Sequence, residues 1–273
     1  VAKIAIIDGD IVAYQSCPPR DKKDEDGNRI KRLDDSGHNV APEMSPEEVE
    51  EYFEAAWVNF ERTVNDLPEK TFCDYGMMAL SGVRTFRHDL FEDYKVHRSR
   101  AKYTPNPAVP LIRARAVDRD MGIQALGYEA DDLMRMWANQ AREVGDEYVI
   151  CSYDKDLLCI PGTHFIMHKD RKLWDSLEVS KWEAKLHYYQ QLLKGDMTDN
   201  IPGIPNVGPK RAEKMLEGCI TEKDMQEVVA EQYFAHYGPD EWMNYLLINA
   251  KLIHILNHPD DYFNGEDWEI LRS

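Results

Sequence analysis

The chain has 273 residues, 43% of them hydrophobic and 30% charged, with a formal net charge of −17. That length suits one domain with an appendage or two small domains, and no apolar run approaches the roughly 18 residues of a membrane span. Val1 leads straight into a strand-like segment, so no signal peptide is expected. Five cysteines without a Cys-x-x-Cys pair argue for reduced thiols in a cytoplasm and against a disulfide framework or zinc finger.

In chain order, Lys3–Ile7 reads as a buried strand ending at Asp8. Residues 18–46 are polar and turn-rich, an insertion or loop; Asp24-Glu25-Asp26-Gly27 fails the register of a calcium loop, because Lys22 would hold its first ligand position. Ser45-Pro46-Glu47-Glu48 starts a helix, continued at helical spacing by Val49, Phe53, Ala56, Trp57 and Phe60. Tyr75–Leu80 is a second strand. Between Arg84 and Arg115 eight Lys/Arg face three acids, a local +5, so the acidic total does not exclude DNA. This strip is interleaved with Phe86, Phe91, Tyr94 and Tyr103 and broken by Pro105, Pro107 and Pro110. Glu129-Ala130-Asp131-Asp132 opens a helix to about Val144. Tyr148–Ser152 is a third strand running into Asp154-Lys155-Asp156, and Thr163–His168 a fourth. From Ser180 onward the pattern is helical. The fold class expected is α/β: a mainly parallel twisted sheet with flanking helices and a helical C-terminal region.

In such sheets ligands sit beyond the carboxyl ends of the strands. Asp8, Asp10, Glu129, Asp131, Asp132, Asp154, Asp156, Asp196 and Asp199 come from four separate segments, each at a strand end or helix start. Like charges converging on one edge need cations between them, and an all-oxygen donor set suits Mg²⁺ or Mn²⁺. Taken one at a time, each pair also reads as a turn or a helix cap. Next to Asp196 and Asp199, the segment 203–214 carries Gly203 and Gly208 ahead of a helix with Lys210, Arg211 and Lys214. Backbone N–H groups at a helix start favour phosphate, although Pro209-Lys210-Arg211 rules out a Walker A loop. His254 and His258 read as a surface pair rather than a zinc site, for want of a third ligand.

Five motifs in order carry a resemblance: Asp-Gly-Asp at 8–10, Tyr-Lys-x-x-Arg at 94–98, Gly-x-Glu-Ala-Asp-Asp at 127–132, Ser-x-Asp-x-Asp at 152–156 and Gly-Asp-x-x-Asp-Asn-Ile-x-Gly at 195–203. Together they resemble the flap endonuclease/5′-nuclease family, closest to its small phage-encoded 5′→3′ exonucleases. The resemblance implies a PIN-like core over 1–190, with a basic arch region at 84–125. It also implies a helical DNA-binding region over 191–273, with a helix-three-turn-helix at about 196–218. It further implies a two-metal-ion phosphodiester hydrolase acting on DNA with 5′ ends or flaps, or on RNA–DNA hybrids. The nine acids above would be its metal ligands, and Lys95, Arg98 and Tyr94 would act near the scissile phosphate, Tyr94 by stacking on a base. Gly203, Gly208, Lys210, Arg211, Lys214, Arg100 and Lys102 would contact DNA, with K⁺ held by the 201–216 loop. A monomer in a bacterial host cytoplasm is the expected context. One departure stands out: where the family usually has a further Asp after the second strand, this chain has Ser81-Gly82. A DNA-binding protein with an impaired site and a PIN-type ribonuclease are the alternative readings.

Overall fold

The computed structural model describes residues 1–19, 44–96, 106–168, 174–263, 265 and 268. Its elements run β1 (Lys3–Asp8), α1 (Gly9–Ser16), α2 (Pro46–Lys70), β2 (Tyr75–Leu80), α3 (Phe86–Leu90), α4 (Ala108–Asp118), β3 (Ile123–Gln124), α5 (Ala130–Val144), β4 (Glu147–Ser152), β5 (Gly162–Met167) and β6 (Trp174–Val179). Then come α6 (Lys181–Lys194), β7 (Gly195–Asp196), β8 (Ile201–Pro202), α7 (Pro209–Leu216), α8 (Glu222–Tyr237) and α9 (Trp242–Ile253).

Six strands form one sheet in the order β3-β2-β1-β4-β5-β6, parallel except for β6. The expected strands are all present. β3 and β6 were not expected: one is two residues long, and the other follows five residues outside the described set. β1 shows why the sheet is buried on both faces. Ala5 and Ile7 join Phe53, Trp57 and Phe60 of α2, while Ile4 and Ile6 join Met134 and Trp137 of α5.

Local chemistry sets the helix ends. Ser45 and Glu48 form a reciprocal capping box at the start of α2, with Pro46 in the first turn. Gly145 ends α5 in the left-handed region at φ 82. Within the expected basic arch region 84–125, the described part of the proline-broken stretch 103–115 is largely the helix α4. Pro110 falls in the first turn of α4, where a missing N–H costs nothing, and Ala108, Ile112 and Ala116 are buried against α1 and α2.

A third hydrophobic core joins α6, α7, α8 and α9 through Leu192, Leu193, Ala212, Val229, Tyr233 and Leu246. The expected division at 190–191 falls inside α6, which runs unbroken from Lys181 to Lys194. The C-terminal region is also not wholly helical, because β7 and β8 pair antiparallel across the turn 197–200. That pairing depends on two glycines. A Cβ on Gly203 would lie 2.2 Å from the Gly195 nitrogen and 2.2 Å from the Lys194 carbonyl carbon. Backbone atoms cannot yield, so Gly203→Ala is expected to cost about 3 kcal/mol of unfolding free energy. Chemical denaturation checks this, and a variant as stable as wild type would refute the close-approach argument.

Candidate active site

The carboxyl edge of the sheet, where β1 and β4 diverge toward opposite halves, is where the acidic motifs meet. Asp8 ends β1 and caps α1, its Oδ1 accepting the Ile11 N–H at 3.0 Å and its Oδ2 the Ser152 hydroxyl at 2.7 Å. Asp154 follows β4, and its Oδ1 accepts the Asp156 N–H at 3.0 Å. Asp156 Oδ1 takes the Gln191 amide at 2.6 Å, drawing α6 onto the cleft. Glu129, Asp131, Asp156, Asp196 and Asp199 line this cleft together with Tyr94 and Arg87.

Crowding shows in the acids themselves. Burial, then the charges of Asp10 and Asp154, push Asp8 up to about 7. Burial, then Asp154 and Asp196, push Asp156 up to about 8. Asp131 is likewise raised by burial and by Asp8, Asp154 and Glu129. Glu129 goes the other way: burial works against its charge, but Lys95 and Arg87 hold it below the usual carboxylate range.

Five of the nine expected acids thus line one cleft, and the charges of Asp8 and Asp154 reach Asp131 within it, with Asp10 acting on Asp8. Among the described residues, however, no three His, Cys, Asp or Glu side chains surround a common point closely enough to hold an ion. Instead most of these acids are tied to nearby donors. Lys95 Nζ lies 2.5 Å from Glu129 and 3.3 Å from Asp199, and Asp10 pairs with Arg113 at 2.8 Å. The donor set still fits a hard divalent cation, because it is all oxygen and several of its acids are destabilised as anions. Cys151 and Cys159 are buried in the sheet's cores and play no part in it.

Two expected roles need correction. Asp132, expected as a metal ligand, is fully buried behind the cleft. It receives Arg87 Nη1 and Nη2 at 2.7 and 2.8 Å and the N–H groups of Glu129 and Leu256 at 2.9 and 3.0 Å. With four donors on its two oxygens it has no lone pair left for an ion. Tyr94, expected to stack on a base, is 4% exposed; its hydroxyl reaches Glu129 at 3.1 Å and Asp199 at 3.2 Å. Its ring belongs to the α6–α9 core, so it braces two acids from below.

The segment bearing Tyr94 is pinned to the 199–200 turn. Lys95 N–H donates to the Asp199 carbonyl at 2.9 Å and Asn200 Nδ2 to the Asp93 carbonyl at 2.8 Å. Lys95 sits at φ 55, a left-handed conformation that a lysine adopts only when its surroundings enforce it. Arg98, Arg100 and Lys102 lie outside the described residues, as do Tyr103 and most of the 18–46 segment. On the opposite side of the turn, Gly208 caps α7 while Lys210, Arg211 and Lys214 are exposed. Gly203 is half-buried, and its close packing against Gly195 accounts for the glycine. His254 follows α9 and pairs with Asp261 at 2.8 Å, while the exposed His258 lies beyond the helix end, so the two do not share a helix face. Sequence reasoning missed Arg87, which was counted only as one charge of the basic strip; its 2% exposure has no local signature in an otherwise polar segment.

The sequence family described as 5′-3′ exonuclease, N-terminal resolvase-like domain matches residues 46–187. DNA polymerase I of Rhizobium leguminosarum is 36% identical over 141 residues, which are 49% of this chain and 14% of the polymerase. Flap endonuclease Xni of Shewanella amazonensis is 32% identical over 138 residues, 48% of this chain and 54% of that protein. The aligned segment thus spans about half the length, or less, of these relatives. A bacteriophage T5 flap endonuclease solved with DNA and metal ions shares the fold at a TM-score of 0.57, with 13% identity over 90% of this chain and 93% of that one.

A cleft of crowded acids has a pH signature when divalent cations are withheld. Asp156 rises from 3.8 toward about 8 on folding, so between those values the native state holds a proton that the unfolded chain has lost. Stability then falls as pH rises through that window. In EDTA the thermal midpoint should drop from pH 5 to pH 8, and Asp156→Asn should exceed wild type at pH 8 by about 2 kcal/mol. A variant no more stable than wild type would contradict the repulsion.

Proposed function

The chain belongs to the 5′-3′ exonuclease N-terminal domain family, and from that premise we propose that it is a divalent-metal-dependent 5′ nuclease hydrolysing DNA phosphodiesters at 5′ ends and flaps. The observation that carries this reading is the acidic cleft, whose carboxylates are destabilised first by burial and then by one another's charge, lifting Asp8 to about 7 and Asp156 to about 8. Acids so placed are stabilised by cations, and a phosphate backbone is the substrate whose own charge needs those same cations.

Asp131, whose charge is opposed by Asp8 and Asp154, would hold one ion with those two acids once they draw together, with Glu129 beside them; Asp156, opposed by Asp196 and Asp199, would share the other ion with that pair. The chemistry supplied by bound Mg²⁺ or Mn²⁺ is Lewis-acid stabilisation of the charge that develops on the phosphate and on the leaving 3′ oxygen. The protein's own groups do the rest. Ser152 and Gln191 orient Asp8 and Asp156. Tyr94 fixes Glu129 and Asp199 in register. Lys95, held here by Glu129 and Asp199, would turn its ammonium to the scissile phosphate, with Arg98 as its companion. At the tip of β2, a Cβ on Gly82 would meet the Ala125 carbonyl oxygen at 2.6 Å, leaving no space for an aspartate without a backbone shift. Asp10 reaches that tip instead, accepting the Ser81 N–H at 3.2 Å, and we assign it the place of the missing acid.

Duplex binding falls to the exposed start of α7. There Lys210, Arg211 and Lys214 would grip phosphates without reading bases, assisted by Arg100 and Lys102, and loop carbonyls of 201–208 would take K⁺. RNA–DNA hybrids as further substrates, a monomeric state and a cytoplasmic site of action complete the proposal. Among the described residues no helix is long and apolar enough to cross a membrane.

The deciding experiment is cleavage of a 5′-labelled flap duplex in Mg²⁺, with EDTA as control. Short 5′ fragments released only with metal support the reading, whereas tight binding without cleavage would make this a DNA-binding protein. Asp154→Asn is expected to lower cleavage by more than about 100-fold while DNA binding in Ca²⁺ persists, and retained activity would remove Asp154 from the site. Lys210→Ala/Arg211→Ala should weaken duplex binding equally for unrelated sequences; a sequence-dependent loss in a binding titration would contradict phosphate recognition.

A further inference from the structure

Arg87 lies on the short helix α3, is 2% exposed, and is bound on every side. Its two terminal nitrogens fork onto Asp132 at 2.7 and 2.8 Å. Nε donates to the Leu252 carbonyl at 2.9 Å, and Nη2 also donates to the His254 carbonyl at 2.6 Å. Asp132 returns the connection by accepting the Leu256 N–H at 3.0 Å. One buried ion pair therefore ties α3, the start of α5 and the segment that follows α9.

The same pair touches the cleft. Arg87 Nη1 sits 3.8 Å from Glu129 Oε2, and Asp132 Oδ2 accepts the Glu129 N–H at 2.9 Å. Glu129 is thus gripped at its backbone and faced by a cation at its carboxylate, on the side away from Lys95. Leu252, Ile253 and Ile255 of the C-terminal segment line the cleft as well. A residue with only a stabilising role could be any well-packed apolar side chain. A forked cation aimed at one cleft acid and locked by two carbonyls of a distant segment has a direction as well as a place.

We infer that Arg87 is a positioning residue: held by Asp132 and the 252–256 segment, it fixes Glu129 in the orientation that a divalent cation meets. Docking of the segment after α9 then becomes a condition for a competent cleft. This inference rests on the reading of the cleft as a divalent-cation site. Arg87 touches neither substrate nor reacting atoms in this scheme; it acts through Glu129.

The test pairs two variants with two readouts. Arg87→Met/Asp132→Leu replaces the buried pair by apolar groups of similar size, an exchange that many buried pairs tolerate, while removing the cation behind Glu129. Arg87→Lys keeps the charge but loses the fork. Mn²⁺ binding by the full chain is measured by isothermal titration, and flap cleavage gives kcat and KM separately. For the double variant the expected result is an Mn²⁺ affinity lowered at least fivefold and kcat lowered at least 30-fold, with KM for DNA within twofold. Wild-type Mn²⁺ affinity in the folded double variant would overturn the inference, as would a raised KM with unchanged kcat. Should the double variant fail to fold, Arg87→Lys decides: an Mn²⁺ affinity lowered at least threefold at an unchanged thermal midpoint supports positioning, and an unchanged affinity refutes it. Wild-type protein that binds no Mn²⁺ would instead overturn the reading of the cleft. Wild-type protein that binds Mn²⁺ but leaves DNA intact would fail the nuclease reading alone, because the titration still judges Arg87.

Discussion

Carboxylates from four parts of the chain are driven into one cleft by the topology, and their mutual repulsion is the constraint around which the rest of the molecule is arranged. At close range in a protein interior such charges cost several kcal/mol unless they are protonated, paired or screened by cations. The structure uses the first two devices. Asp8, Asp131 and Asp156 are pushed toward their protonated forms, whereas Glu129 keeps its charge because Lys95 and Arg87 stand beside it. Asp10 has Arg113 as its partner. Asp8, Asp131 and Asp156, the acids pushed furthest toward protonation, gain most from a cation beside them.

That balance explains why so much of the surrounding architecture is bracing. Tyr94 spends its hydroxyl on Glu129 and Asp199, and its ring is packed in the core shared with α6 to α9. The 93–95 backbone is stitched to the 199–200 turn, which in turn hangs from the close Gly195–Gly203 contact. A strained Lys95 is tolerated because neighbours on both sides hold its backbone. Acids, brace and turn form one mechanical unit built from segments about 100 residues apart in sequence.

Much of this was legible in the residues. Tyr75–Leu80 was read to the residue, and the apolar spacing of Phe53, Ala56, Trp57 and Phe60 matched the buried face of α2, because short-range periodicity reports directly on which side meets the core. The acidic pairs fell at strand ends for a similar reason: the carboxyl edge of a parallel sheet is reached just after each strand. The two-residue β3 escaped notice because it is too short to show a period, and the pair β7–β8 because its signal is two glycines that must touch across a turn.

Sequence by itself determined the fold class, the edge of the sheet that carries the chemistry and the set of acids from which a site could be drawn, since these follow from local pattern and spacing. Only the tertiary structure decided how those acids are used. Asp131 and Asp132 are adjacent and chemically identical, yet one faces the cleft while the other is consumed by Arg87 and the Glu129 and Leu256 amides. Tyr94 and Arg87 look like members of an exposed basic strip and are buried instead, because partners 35 to 167 residues away take up their polar groups. Such roles depend on which distant segment arrives to satisfy a hydrogen bond, and nothing in the local order of residues encodes that arrival.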